Sequence, residues 1–257
     1  MRKYLNKIEL TQNFRGVWDL DPFKGCAYSK LNDGTGCYGI CYAAKIAKAR
    51  GYDFSDVVAR YFISDKHLAD IQQKLKKLPF VRLGCMCDPS HDWEHTLSIV
   101  DKIQPYQKNI VIVTKHWNTL DEKQVSRLKG LIINTSISAL DSKEQINKRL
   151  YEYNRLKKYC KSFLRVNTAD FNFLPFKKTQ DTLLAYDNVI DNILRFPKNH
   201  ELATDGVINV KKYKFLKTNV YASKHKDDVF FGYCYQCLDL CGAEPEQYKL
   251  SKWAQSN

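Results

Sequence analysis

The chain has 257 residues, 44% of them hydrophobic, with nine cysteines and a formal net charge of +13, which is enough apolar material for one large core or two small domains. No run approaches ~18 consecutive apolar residues, so a membrane-spanning helix is excluded, and the first seven residues lack the apolar stretch of a signal peptide. The expected location is therefore the cytoplasm, where clustered cysteines point to metal or redox use rather than to disulfides.

Residues 1–22 read as a short strand or extended arm ending at Asp19, Leu20, Asp21 and Pro22. Cys26, Cys37 and Cys41 follow. Asn32, Asp33, Gly34 and Gly36 lie between the first two, which predicts a loop. After Cys41 the composition turns helical (Ala43, Ala44, Lys45, Ile46, Ala47, Lys48, Ala49), with Gly51 as a stop. A loop that brings three thiols to a helix N-terminus suits a metal or an iron–sulfur cluster, because the partial positive charge there favours thiolate. Three protein ligands leave a position open, whereas a closed structural site uses four. By spacing alone, zinc fits this loop nearly as well as iron–sulfur.

Leu68, Ile71, Leu75 and Leu78 recur at helical spacing after Ser64. A regular series then begins. Strands are predicted over 80–84, 109–115, 131–137 and 162–167. Helices are predicted over 93–103, 120–128, 142–159 and 182–194. Alternation of this kind gives a parallel sheet or barrel with its chemistry at the C-terminal ends of the strands. Those ends carry Cys85, Met86, Cys87 and Asp88, then Thr114 and Lys115, then Ser136 and Ser138, then Arg165 and Asn167. Residues 207–216 alternate with lysines and read as an edge strand or hairpin. The tail holds Cys234, Cys237 and Cys241. The expected fold is α/β: a partial (β/α) barrel over 1–200, with its cysteine loop at 20–51, and a cysteine-containing C-terminal extension over 201–257.

The net charge favours a polyanionic partner, nucleic acid first. The densest basic stretch has Lys211, Lys212, Lys214, Lys217, Lys224 and Lys226 mixed with Tyr213, Phe215 and Tyr221. It reads either as a nucleic-acid patch or as an edge strand blunted by lysine.

Four segments, in order, resemble the radical S-adenosylmethionine superfamily, and within it the branch around spore photoproduct lyase with its phage and bacterial relatives. They are Gly25–Cys26 with Gly36–Cys37–Tyr38–Gly39–Ile40–Cys41–Tyr42–Ala43; Leu83–Gly84–Cys85–Met86–Cys87–Asp88–Pro89 followed by Glu94; Ile112–Val113–Thr114–Lys115; and Thr135–Ser136–Ile137–Ser138. Together they span about residues 20–170. The spacing departs from the commonest motif of the family: it is Cys-x10-Cys-x3-Cys rather than Cys-x3-Cys-x2-Cys.

The resemblance implies that Cys26, Cys37 and Cys41 hold a [4Fe–4S] cluster whose fourth iron binds S-adenosylmethionine. It implies reductive cleavage of that cofactor to a 5′-deoxyadenosyl radical that abstracts a substrate hydrogen. Tyr42 occupies the position near the adenine, and Cys85 and Met86 the segment near the methionine amine. Lys115 and Arg165 are candidate partners of the carboxylate, Ser136 and Ser138 of carboxylate or ribose, and Asp88 of an amine or a ribose hydroxyl. The implied partners are S-adenosylmethionine, an electron donor such as flavodoxin or ferredoxin, and a nucleic-acid substrate, with a peptide or small metabolite as the alternative.

Bland readings stand beside these. Lys115 and Arg165 also suit buried ion pairs, and Cys85 and Cys87 suit small strand-end residues. His91 and His95 read as a metal pair or as ordinary helix residues, and Cys160 as a core cysteine. Cys234, Cys237 and Cys241 fit an auxiliary iron–sulfur cluster or a zinc site, with His225, Cys87 or a substrate atom as fourth ligand. The competing class is a zinc-stapled nucleic-acid-binding protein without catalysis.

Overall fold

The computed structural model describes residues 6–32, 36–237 and 240–243. Asp33 and Gly34 of the cysteine loop and residues 244–257 of the extension lie outside these. Strands β1 (Leu10–Gln12) and β2 (Trp18–Leu20) form an antiparallel pair, and β2 then starts a parallel series. The series continues through β5 (Val81–Leu83), β6 (Ile110–Thr114), β7 (Ile132–Ile137), β8 (Lys161–Thr168) and β9 (Val189–Ile193). Strands β3 (Phe23–Lys24) and β4 (Val58–Ala59) pair separately, as do β10 (Lys211–Phe215) and β11 (Thr218–Ala222). The helices are α1 (Tyr42–Ala49), α2 (Asp65–Leu75), α3 (Trp93–Ile103), α4 (Glu122–Ser126), α5 (Lys143–Leu156), α6 (Leu174–Leu184) and the short α7 (Glu201–Thr204).

The main sheet runs β1-β2-β5-β6-β7-β8-β9, with every neighbour beyond β1 and β2 parallel. Each parallel strand lies beside the next in sequence. Crossovers of one hand then put the connecting helices on one face, as in a barrel, rather than on both faces as in a doubly wound sheet. Packing agrees. Val81, Leu83, Ile110, Ile112 and Ile133 meet Ile71 and Leu75 of α2 and Leu97 and Val100 of α3. Ile137, Leu164 and Val166 meet Tyr153 of α5 and Leu183 of α6. The sheet is open, ending at β1 and β9. The expected α/β fold is present as a mostly parallel seven-strand sheet alternating with helices, compatible with a partial barrel.

The opposite face reads at period two. It carries Asp19, Arg82, Val113, Ser136, Arg165, Asn167 and Asn192 on alternating positions, all lining one cavity. The described part of the C-terminal extension covers the same face lower down. Cys234, Cys241 and Ala243 pack on Val17, Phe80, Val111 and Ile132, and the Asn134 amide donates to the Cys241 carbonyl at 3.2 Å.

Most predicted elements are present within a few residues. Ser64 accepts from the His67 amide as the cap of α2, and Ser142 with Gln145 forms a capping box on α5. The helix expected over 182–194 is displaced. Pro175 starts α6 in its first turn, the helix ends at Leu184, and Asn188 turns the chain at φ 49° before β9. The β-branched Val189, Ile190 and Ile193 then run as a strand. The lysine-rich 207–216 stretch contributes one arm of a hairpin. Among the described residues no helix is long and apolar enough to cross a membrane.

His116 follows β6 in a left-handed conformation and is fully buried, with Nε2 3.0 Å from Thr135 Oγ1. Burial, with Arg149, Arg155 and Lys148 nearby, pushes its pKa down to about 3. The unfolded chain binds this proton below about 6.5, the folded chain not until about 3. Stability is therefore expected to fall with pH across that window, at up to about 1.4 kcal/mol per unit. Urea unfolding at pH 7 and pH 5 checks this, and the slope should be flatter in His116→Gln.

Candidate metal and cofactor site

A cavity of about 950 Å³ opens at the C-terminal ends of the parallel strands. Asp21, Gly84, Thr114, Ser136, Asn167 and Ile193, from the ends of successive strands, line its mouth. Cys26, Cys37 and Cys41 line it, and so do Cys234, Cys237 and Cys241. None of the chain's nine cysteines forms a disulfide.

The first triplet is shaped by glycine. Gly36 has φ 77°, and a Cβ there would overlap Cys41. Gly25, at φ 94°, lies against the Phe54 and Asp56 carbonyls. Tyr38, between Cys37 and Cys41, is itself left-handed at φ 58°, a conformation costing roughly 1 kcal/mol for a non-glycine residue. Its hydroxyl donates to Asp141 Oδ1 at 2.7 Å and accepts from Lys115 Nζ. Asp141 also accepts from the Ser138 amide at 2.8 Å and pairs with Arg149. Arg149 Nε donates in turn to the Lys115 carbonyl at 2.9 Å. This network anchors the cysteine loop to the ends of β6 and β7. Burial raises the Asp141 pKa, but Lys115 and Arg149 outweigh it, and the net direction is down. At Cys37 the Lys115 cation stands against the carboxylates of Asp88 and Asp141.

Among the described residues, no three His, Cys, Asp or Glu side chains converge on a point that one metal ion could fill. A tetrahedral zinc with Zn–S near 2.3 Å needs sulfurs about 3.8 Å apart. A four-iron cluster gives each cysteine its own iron and so accepts wider separations. The first triplet fits the larger group by its donor set: three thiols facing one cavity, with Cys26 pushed up to about 12 chiefly by burial and secondarily by Asp88. Burial also raises Cys37, with Lys115 opposing it. Ligation to iron removes the cost of burying those thiolates.

Other predicted residues take varied places. The Tyr42 hydroxyl donates to the Cys85 carbonyl and lies 3.0 Å from Cys85 Sγ, joining two of them. Met86 packs beside Cys26 and Cys41. Asp88 lines the cavity, but its oxygens already accept from the Ser90 hydroxyl (2.8 Å), the Thr114 hydroxyl (2.7 Å) and the Lys115 amide (2.9 Å). It ties strand ends together. Ser136 lines the cavity and accepts from the Asn167 amide at 2.7 Å. Ser138 does not reach it: fully buried, it donates to the Asn167 carbonyl at 2.9 Å within the turn after β7. Arg165 lies deeper than expected, 3.8 Å from Cys241 Sγ and 2.5 Å from Asn192 Oδ1. His91 and His95 pack on Phe23, and His95 Nε2 lies within 3.2 Å of the Pro22 and Arg60 carbonyls.

Two features escaped the sequence reading. Asp21, just after β2, accepts from the amides of Gly84, Cys85 and Met86 at 2.9, 2.8 and 2.8 Å. Asn192 donates to Asn167 Oδ1 at 2.6 Å, completing a polar ladder from Arg165 to Ser136. Reading residues 189–193 as a strand would have put Asn192 on the cavity face, by its alternation with Ile193.

No protein family, curated protein or solved structure was found to match this chain.

Proposed function

We propose that the chain is a radical S-adenosylmethionine enzyme. One observation carries the reading: all three thiols of the first triplet open onto the same cavity as six successive parallel strand ends. Cys26, Cys37 and Cys41 would hold a [4Fe–4S] cluster. When bound, the cluster and S-adenosylmethionine supply one-electron cleavage of a sulfonium and, from it, abstraction of a substrate hydrogen.

The chain's own residues do the rest. Tyr38, Lys115, Asp141 and Arg149 fix the cysteine loop against the sheet. Asp21 orients the Gly84–Met86 turn on the cavity wall, the segment that would lie near a cofactor amine. Ser136, Asn167 and Asn192 offer neutral donors and acceptors on the cavity wall. Walls of Val113, Ile40 and Phe196 limit water.

Nucleic acid is the substrate class that the charge favours. The net charge is +13, and Lys211, Lys212 and Lys214 are exposed on the hairpin whose Tyr221 lines the cavity. A flavodoxin or ferredoxin would supply the electron.

Anaerobic reconstitution with iron and sulfide, then reduction with S-adenosylmethionine present, tests the reading. A brown protein absorbing near ~400 nm that releases 5′-deoxyadenosine is expected. Zinc uptake with no iron uptake and no cleavage would sink it and favour the stapled nucleic-acid binder.

A further inference from the structure

The second triplet occupies an unusual position. In the fold it lies neither on a separate body nor at the mouth, but on the interior face of the sheet, where the segment ending at Ala243 covers Val111, Ile132 and Phe163. Cys234 and Cys241 are buried, yet all three cysteines of the triplet line the cavity that the first triplet lines.

The groups around it are cationic. Arg165 Nη1 lies 3.8 Å from Cys241 Sγ. Among the described residues Arg165 pairs with no carboxylate; its other partner is the neutral Asn192 amide. Arg82, on the same wall, reaches Cys85 Sγ at 3.5 Å but is paired with Asp19 at 2.9 Å. The Arg15 carbonyl accepts from the Cys234 amide at 3.0 Å, while its Nε donates to the Gly232 carbonyl at 2.9 Å. A guanidinium within reach of a sulfur favours an anion there. Three thiolates on an iron–sulfur core make such an anion, and N–H donors beside cluster sulfurs raise its potential.

The turn is also built like the first. Cys241 and Gly242 are consecutive left-handed residues at φ 58° and 86°, as Tyr38 and Gly39 are at 58° and 69°. A Cβ on Gly242 would run into the Phe163 ring, so the turn is seated on the sheet.

The expected fourth ligands are engaged elsewhere. His225 Nε2 pairs with Asp191 at 3.2 Å. Cys87 is buried, with the Phe23 backbone and Cys26 among its neighbours. No three described donors converge on a single point that one metal ion could fill.

We propose that Cys234, Cys237 and Cys241 hold a second iron–sulfur cluster inside the sheet, bound by three protein sulfurs, with its remaining iron facing the cavity shared with the first site. On assembly each thiol gives its proton to solvent as its iron–sulfur bond forms, with iron and sulfide supplied in reconstitution. An iron without a cysteine would be free to ligate an oxygen or nitrogen of the substrate, and Arg165, which lines the same cavity, to pair with an anionic group on it. This rests on the proposed function only for the identity of the first site.

Two triple variants of the full chain separate the sites. After anaerobic reconstitution, wild type should carry about eight irons and eight sulfides. Cys26→Ala/Cys37→Ala/Cys41→Ala should keep about half, and so should Cys234→Ala/Cys237→Ala/Cys241→Ala. Mild oxidation of the first variant should give the electron-spin-resonance signal of a three-iron cluster, because an iron without cysteine is lost first. Loss of all iron from the first variant, with circular dichroism unchanged, overturns the second cluster while leaving the first intact. One bound zinc in that variant, or a cluster that keeps four irons under oxidation, overturns it as well. Wild type with no iron at all overturns the proposed function too, so the two failures are distinct.

Discussion

Replacing Cys37 with alanine is expected to abolish reductive cleavage of S-adenosylmethionine, by at least a thousandfold, while leaving the fold intact. A cluster held by three cysteines has no spare protein ligand, so loss of one removes the first cluster rather than weakening it. The cost to folding is small. Cys37 lies half-buried at the start of a turn that Gly36, Gly39 and the Tyr38–Asp141 bond already define. Anaerobic assay of 5′-deoxyadenosine, beside circular dichroism and urea unfolding, measures both quantities. Retained cleavage in Cys37→Ala would refute the assignment of this loop. The same variant should keep the iron of the second triplet, so total iron falls by about half rather than to zero.

The largest effect on stability is expected at Asp21. Its carboxylate is buried and satisfies three consecutive main-chain amides of the turn after β5. Burial raises its pKa, as does nearby Asp19, and the three amides only partly offset this. Asp21→Ala would leave those amides without partners in the interior, at about 1–3 kcal/mol each before relaxation, so a net loss of about 3–5 kcal/mol is expected. Asp21→Asn should cost less: it removes the repulsion from Asp19 and the desolvation of a charge, but turns an NH₂ toward one of the donors. Urea midpoints give the ranking wild type, then Asn, then Ala. S-adenosylmethionine binding by the folded fraction shows whether the turn is a positioning device. Weaker binding in Asp21→Asn at unchanged iron content is the expected result.

The sheet was legible in the sequence where hydrophobic pattern and caps agreed. Residues 93–103, 110–114 and 132–137 carry unbroken apolar faces bounded by Asp92, Asn109 and Ser138, and the structure follows them. It was less legible where one local signal outweighed another: Leu183 and Leu184 continue into Val189 and Ile190 as if one helix ran through, and only the turn at Asn188 separates them. The cysteines of the candidate site stood out by type. Asp21 did not, because a lone carboxylate after a short strand has no periodic signature; its role exists only once β2 and β5 lie side by side. For the same reason the seating of the second triplet on the sheet could not be read from spacing, since Asn134 and Cys241 are 107 residues apart.

That long separation bears on how the molecule is made. The Arg15 side chain meets the Gly232 carbonyl 217 positions later, so the wall carrying the second triplet is completed only after every strand of the sheet has been synthesised. Until then one apolar face, with Val111, Ile132 and Phe163, stands bare. Closure of so long a loop is slow to find but little more costly than a loop of half its length. This late segment thus acts as a latch on the sheet of a nascent chain, and any metal bound by its cysteines would arrive after the sheet has folded.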